Sequence, residues 1–371
     1  MVKTELCEKL GIRHPIIQAG MGPFSCNKLC IATANAGVLG LLSTSGLNSD
    51  ISQPGIYKHF VETGGASVDD DKATVLKKVL KQTSEGTKES GGVFGANVMV
   101  SAESKELANL IINTAIEAVE EDPGLKERFR VIFTSAGNPM GWGDKIKGAG
   151  FTWLHVVPSV KGALKCKQAG VDIVVASGHE GGFHTHWEPI HSIILVPAVV
   201  EALAGSGIPV VGAGGFCDGK TLAAALALGA VGVQMGTRFL ATQESDFAQV
   251  WKEAVVKAGD RGTLVARGFV GPARWIKTPS TLKHQENTMA LAPGVFLGRP
   301  DDSASEGART LMDNEREGIN ATYRGDEENA MCAGGECAQR IDDMPTADEL
   351  VQRIVNEASD ILEALPKRFL G

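Results

Sequence analysis

Short apolar runs recur along the chain, each closed by a turn and followed by a stretch with apolar positions at helical spacing. The runs read as strands at Pro15–Gly20, Gly37–Leu42, Val93–Val100, Arg130–Thr134, Thr152–Val157, from Asp172 onward, Ile208–Val211 and Val231–Met235. Between them the spacing predicts helices from the Met21-Gly22-Pro23 turn to about Ala36, then at Glu103–Glu120, Pro139–Ala149, Pro158–Gln168 and Ile190–Ala204, and a last one over TLAAALALGA. Ser25 or Asn27 is expected to cap the first of these and Asp218 the last, because a short oxygen-bearing side chain can take up a free amide of the first turn.

Eight strands between about residues 15 and 260, each followed by a helix or loop, favour a closed (β/α)8 barrel over an open doubly wound sheet. Two stretches stand outside the alternation. Ser43–Gly92 reads as a long polar excursion carrying one surface helix, ATVLKKVLKQT. Arg267–Pro345 reads as irregular, ahead of an amphipathic helix at about Thr346–Leu365. The expected organisation is therefore a barrel over residues 1–265 and an extension over 266–371, packed on the barrel's mouth or flank.

Composition narrows the class. At 371 residues the chain has room for a large core, and its 43% apolar content with only 5% aromatic suits Ala, Val, Ile and Leu strands buried under helices. A net charge of −8 argues against nucleic acid or an anionic membrane as the main partner. No apolar stretch is long enough to span a bilayer, and MVKTELCEKLGIRHP lacks a basic region followed by an apolar one, so a soluble, cytoplasmic protein is expected. Seven scattered cysteines make a disulfide framework an unfavoured reading. Cys26 with Cys30, and Cys332 with Cys337, have near-ligand spacing, but ordinary packing is preferred.

The chemistry concentrates at Val171–His191. Ile173-Val174-Val175-Ala176 is apolar on both faces, as a central parallel strand requires, and it breaks into a turn containing Gly178, Gly181 and Gly182. Glu180, His179, His184, His186 and His191 crowd that strand end, where α/β folds carry their sites; this is half of the chain's eight histidines. A polar loop with solvated histidines is the alternative. Two more glycine loops, GAGGF ahead of Asp218 and GTRF from Gly236, close the next two strands. Amides converging there beside helix N-termini point to a phosphate-bearing ligand, against the alternative of glycines serving tight turns only. Neither a G-x-G-x-x-G motif with a following acid nor a phosphate-loop lysine is present.

The set PIIQAGMG, ANAGVLGLLS, GANVMV, SAG, AGVDIVVASGHEGGFH, GIPVVGAGGFCDGKTLAAALALGAVGVQMGTRFLATQES and AMCAGGECA resembles the nitronate monooxygenase family over nearly the whole chain. The resemblance implies an FMN-binding TIM barrel, related to flavin-dependent enoyl-ACP reductases. It places Gly20, Met21 and Gly22 along the flavin ring, with Asn97 also binding FMN and His155 near a flavin-contacting position. Ser177 and Gly178 would lie by the ribityl chain or ring, and Gly181, Gly182, Gly214, Gly215, Gly236 and Thr237 around the phosphate. The family's E-A-G-G-H turn becomes Glu180-Gly181-Gly182-Phe183-His184, which makes His184 the matching catalytic residue. Phe183 stands where the family has glycine, and Ser177 where it has glutamine.

The expectation is oxidation of alkyl nitronates, or of nitroalkanes, with oxygen, using His184 as a base of near-neutral pKa. The alternative is an NAD(P)H-dependent reductase of enoyl thioesters or quinones. A third reading is a metal-dependent or non-redox barrel enzyme, with His184 and His186 as half a metal site; histidines facing solvent or substrate are preferred to it. The expected partner is a small-molecule substrate, and assembly into a homo-oligomer stays open.

Overall fold

The computed structural model describes residues 2–24, 26–49 and 53–370. Its strands are β1 Ile16–Gln18, β2 Gly40–Ser43, β3 Phe94–Met99, β4 Phe129–Ser135, β5 Thr152–Val157, β6 Ile173–Ser177, β7 Phe183–His184, β8 Val210–Ala213, β9 Val233–Met235, β10 Thr263–Gly268 and β11 Gly271–Ile276. Eight of them form one parallel sheet in the order β1-β9-β8-β6-β5-β4-β3-β2. A parallel bridge between Ile17 and Leu39 joins its two edges, with Gln18 N donating to Leu39 O (2.9 Å) and Leu39 N to Ile16 O (3.1 Å). The sheet thus closes into the expected TIM barrel, which leaves no free strand edge.

Strand side chains divide by parity. Ile17, Leu41, Val131, Leu154, Ile173, Val175 and Val211 fill the barrel interior, with Leu6, Cys7 and Leu10 of the N-terminal helix packed into the same cluster. Ile16, Leu42, Ile132, Trp153, Val174 and Val233 face the surrounding helices. With both faces largely buried, most strands read as short apolar runs, which is why the strands were visible in the sequence.

Three expectations change. The Ser43–Gly92 segment holds two helices, Pro54–Thr63 and Lys72–Gly86, and the second packs against Asn27–Asn35 and Lys105–Glu121 in the helix layer. It is thus a crossover helix, with Val75, Leu76, Val79 and Leu80 buried. The Asn27–Asn35 helix is not capped by Asn27, which is its first residue and donates to Thr83 Oγ1 (2.7 Å). The distant Asp246 carboxylate accepts from Lys28 N (3.4 Å) and Leu29 N (3.1 Å) instead; Ser25 lies outside the described residues. Asp218 caps the helix Gly219–Ala227 as expected, in a reciprocal box with Thr221.

The late segment is ordered, not irregular. β10 and β11 form a hairpin, to which β7, from the loop after β6, adds as a third antiparallel strand. The 265/266 position falls within β10. Helices Pro279–Leu291 and Glu306–Arg324 back this small sheet, and Trp251, Trp275, Met331 and Cys332 share its apolar core. These elements form a cap over the C-terminal ends of the barrel strands. The last helix, Ala347–Phe369, returns to the barrel and packs against Gly219–Ala227 and Asn27–Asn35. It occupies the place of the eighth barrel helix, between the helices that follow the seventh and first barrel strands. No helix among the described residues is long and apolar enough to cross a membrane.

Candidate active site

Three barrel strands end in glycine turns that meet at one side of the mouth. After β8, Gly214 and Gly215 adopt φ of +86° and +84°, a region that side chains strain to enter. A Cβ on Gly214 would stand 2.6 Å from Gly178 O, so the turns after β6 and β8 touch backbone to backbone. Gly182 meets the late segment as closely, since its Cβ would lie 2.6 Å from Gly335 N. Thr237 Oγ1, after β9, accepts from Gly335 N (2.9 Å). The result is a cradle of backbone amides and one hydroxyl, which suits a phosphate. The Gln234 amide Oε1, buried on β9 beside it, has no hydrogen-bond partner among the described residues and is left to accept from a bound group.

Across the mouth, Asn97 on β3 donates to Gly20 O (3.2 Å) and accepts from Ser135 Oγ (3.0 Å). A Cβ on Gly20 would crowd Leu42 O at 2.7 Å and the Asn97 Cβ at 2.8 Å, so the turn after β1 is held against β2 and β3. Met21 bridges the two sides: its sulfur would lie 3.2 Å from a Cβ on Gly236. Gly20, Met21, Asn97, Ser177, Gly178, Gly181, Gly182, Gly214, Gly215, Gly236 and Thr237 are therefore all on turns or strand ends of one barrel mouth.

His155 is set apart. It has the outward parity of Trp153 and Val157, is 2% exposed, and its Nδ1 bonds Thr134 Oγ1 (2.7 Å). Burial lowers its pKa to about 4, so it is a neutral part of the wall. Glu180 also departs from the reactive role its position suggested. Its carboxylate folds back onto the helix Ser192–Ala202, accepting from Ser192 N (2.9 and 3.0 Å) and Ser192 Oγ (2.6 Å). This caps a helix whose own N-cap, His191, makes no side-chain cap bond.

His184 lies two residues beyond Gly182, on β7, in register with Ala273 of β11. The ring is accessible to solvent but set deep in surrounding protein. That desolvation, with the nearby Arg267 guanidinium, lowers its pKa to about 4. The near-neutral value expected of a free histidine is thus replaced by an imidazole that stays uncharged at every pH above that. Arg267 is itself buried and held by Asp301 (2.7 and 3.1 Å).

Phe183 resolves its own departure from the family pattern. It adopts φ +61°, the conformation glycine would take there, although a bulky residue pays for it. Its ring lies 4.2 Å from the His184 ring and edge-on to Trp275 at 5.5 Å, so it packs into the cap and walls one side of the histidine. Of the other histidines, His179 stacks edge-on to His191 at 5.6 Å, and His186 Nδ1 meets its own turn at Glu188. No group of three His, Cys, Asp or Glu side chains among the described residues is placed to hold a metal ion.

The sequence reading missed the groups that fix this loop from the cap side. Arg274 of β11, buried, donates to His179 O (3.3 and 3.1 Å) and pairs with Glu336 (2.9 Å). Glu336 N donates to Glu180 O (2.9 Å), and Trp251 Nε1 to Ala333 O (2.7 Å). Arg274 sits in GPARWIKTPS, where one arginine among polar neighbours gives no sign of burial. The Gly334-Gly335 pair within AMCAGGECA was the available signal.

The chain has relatives along most of its length. A dehydrogenase from Mycobacterium tuberculosis, (3aS,4S,5R,7aS)-5-hydroxy-7a-methyl-1-oxo-octahydro-1H-indene-4-carboxyl-CoA dehydrogenase, is 29% identical over 96% of each chain. A probable nitronate monooxygenase of Staphylococcus saprophyticus is 30% identical over 77% of this chain and 81% of its own. The structure of FabK from Thermotoga maritima superposes with a TM-score of 0.76 at 29% identity, covering 99% of both chains. The nitronate monooxygenase family model matches residues 3–357, barrel, cradle, histidine turn and cap together, and this chain is an oxidoreductase belonging to that family.

Proposed function

We propose that the chain is an FMN-dependent oxidoreductase that oxidises alkyl nitronates, or nitroalkanes, with oxygen, with His184 as the base that would take a nitroalkane's α-proton. The observation that carries this reading is the position of an uncharged, deeply set but accessible His184 two residues from the glycine cradle. The cradle residues fit the group: Gly181, Gly182, Gly214, Gly215, Gly236 and Thr237 would hold the phosphate, and Gly20, Met21, Asn97, Ser177 and Gly178 would lie along the ribityl chain and ring. FMN, when bound, supplies the two-electron redox chemistry, and the chain supplies position and charge.

An imidazole with a pKa of about 4 is a ready but weak proton acceptor at neutral pH. A nitronate, which has already lost that proton, would meet the imidazole as an uncharged hydrogen-bonding contact. The nearby Arg267 guanidinium, itself paired with Asp301, disfavours a lasting imidazolium. Phe183 and Trp275 exclude water from one side of the ring.

A second reading, reduction of an enoyl thioester or a quinone with NAD(P)H, is favoured by a specific observation. The M. tuberculosis CoA-ester dehydrogenase and FabK align along essentially the whole chain, cap included. Anaerobic reduction of the FMN-loaded protein by a panel of nitronates, NADH and NADPH separates the two. The expected result is bleaching by nitronate and, when nitroalkanes are added to the panel, a nitroalkane-driven rate that falls at least about tenfold in His184→Asn while FMN is retained. Bleaching by NADH or NADPH alone would replace the first reading with the second, and failure to take up FMN would remove both.

A further inference from the structure

The helix Ser192–Ala202 begins where the histidine loop ends, and its sequence, SIILVPAVVEA, carries no charge before Glu201. Its inner face packs as expected, with Ser192, Leu195, Val196 and Val199 buried against the barrel. The opposite face is apolar as well. Ile193 and Ile194 are 58% and 64% exposed, Ile190 is exposed just ahead of them, and Pro197 and Ala198 lie half-buried between these and the exposed Glu201. At about 100° per residue these positions form one stripe on the side away from the barrel. Leu164, exposed on the adjacent helix Val160–Ala169, widens it.

Other helices of the ring expose charge in the same position. Glu106, Glu117 and Glu120 line the outer face of Lys105–Glu121, and Lys78, Lys81 and Glu85 that of Lys72–Gly86. Ser192–Ala202 instead leaves a contiguous apolar patch of a few hundred Å² in water, a size at which a monomer's patch usually marks an interface. The ends of the stripe complement each other when one copy is reversed. His191, 53% of whose side chain is exposed beside Glu180 (3.8 Å), stands at the helix N-terminus, where free amides add partial positive charge. The Glu201 carboxylate, without a side-chain partner among the described residues, stands near the other end, about 15 Å away along the axis. A carboxylate there opposes the dipole of its own helix and suits the N-terminus of one running the other way.

We propose that this face joins two copies of the chain, with Ser192–Ala202 of one lying antiparallel on the same helix of its partner, across a two-fold axis at the level of Val196 and Pro197. That register seats Ile194 against the partner's Ala198, large against small, and brings Glu201 to the partner's His191 and the amides of that first turn. The pairing is isologous, so every contact is made twice. A specific pairing takes roughly 800 Å² per partner, which the apolar stripe supplies together with a rim of Leu164, Lys161, Lys165 and Glu188, all exposed around it. The interface lies directly behind the histidine loop, since Ser192, the first residue of the helix, is also the residue that holds Glu180 (2.6 Å). The proposal is independent of which substrate the active site takes.

Sedimentation of the whole protein, as purified, should give twice the 39.0 kDa of one chain down to about 1 μM. Ile194→Asp sets two carboxylates in the middle of the stripe and should weaken pairing at least about hundredfold, because the change acts twice across the axis. Ile194 is exposed in the single chain, so the variant should keep its fold, which circular dichroism checks. Cross-linking tests the direction. All seven native cysteines are buried, so Ile194→Cys mixed with Ala198→Cys and mildly oxidised should link to each other more readily than either links to itself. A wild type that is monomeric at about 50 μM, a dimer that Ile194→Asp leaves as tight, or variants that link mainly to themselves or not at all would each overturn the proposal.

Discussion

The two sides of the barrel mouth are built from different materials. The cradle is made of backbone: glycine turns after β6 and β8 that touch each other, and one after β9 that joins them through Gly335. The histidine wall is made of side chains: His184 and Phe183 on one edge of a small sheet, with Trp275 and Arg274 on the neighbouring strand. A backbone site tolerates only residues with permissive φ, so its chemistry is visible as a glycine pattern. A side-chain wall tolerates replacement, so it is where related barrels can diverge in what they accept.

The largest break in that comparison should come from Gly214→Val. A β-branched residue would have to adopt φ +86° with its Cβ 2.6 Å from Gly178 O. We expect loss of cofactor uptake and a stability cost of roughly 4 kcal/mol, read from a urea midpoint and FMN titration. If binding survives, the cradle is not where the phosphate sits.

Acid should act next, and on the wall more than on the cradle, which has no titrating side chain. His155, His179 and His184 all have folded pKa values of about 4, against 6.5 for a free side chain. A lowered histidine pKa means that the unfolded chain takes up protons first. Stability contributed by these residues is therefore full above pH 6.5 and is lost as the pH falls from about 6.5 towards 4. An unfolding midpoint that stays level across that window would mean that the histidines are not desolvated as the structure indicates.

The smallest effect is expected from Phe183→Gly. Removing the ring loses packing on Trp275, but relaxing φ +61° returns about 1 kcal/mol. The net change should be a loss of about 1 kcal/mol, within reach of denaturant melts. The informative readout is selectivity: bulkier nitronates should gain relative to small ones as the space beside His184 opens. Unchanged relative rates would show that Phe183 does not bound the substrate.

Much of the fold was legible because the barrel strands are buried on both faces. Thr152–Val157 was read with its boundaries as observed, and Asp218 was read as a cap because its partner Thr221 is local. What failed involved partners far away in sequence. Asp246 replaces the expected local cap of the first barrel helix across more than two hundred residues, and nothing near Asn27 announces it. The cap hairpin was unreadable because Arg267 and Arg274, both buried by pairing with Asp301 and Glu336, look like surface residues in sequence. At the site, the glycine turns were read from the residues themselves, and His184 was singled out by the family resemblance. The lowered pKa of that histidine, the structural duty of Glu180 and the strain at Phe183 all depend on packing, which a single chain of letters does not display.

The closing helix Ala347–Phe369 has a practical consequence for anyone redesigning the molecule. In connectivity the late segment looks like an appendage that could be trimmed or exchanged, yet its final helix fills a gap in the ring around the barrel. The cap is, in circular order, a detour taken between the eighth strand and the eighth helix. A cut after β9 would therefore remove the lid and open the wall together. A graft of a foreign cap should be spliced between the two, keeping this chain's own last helix as the piece that completes the ring.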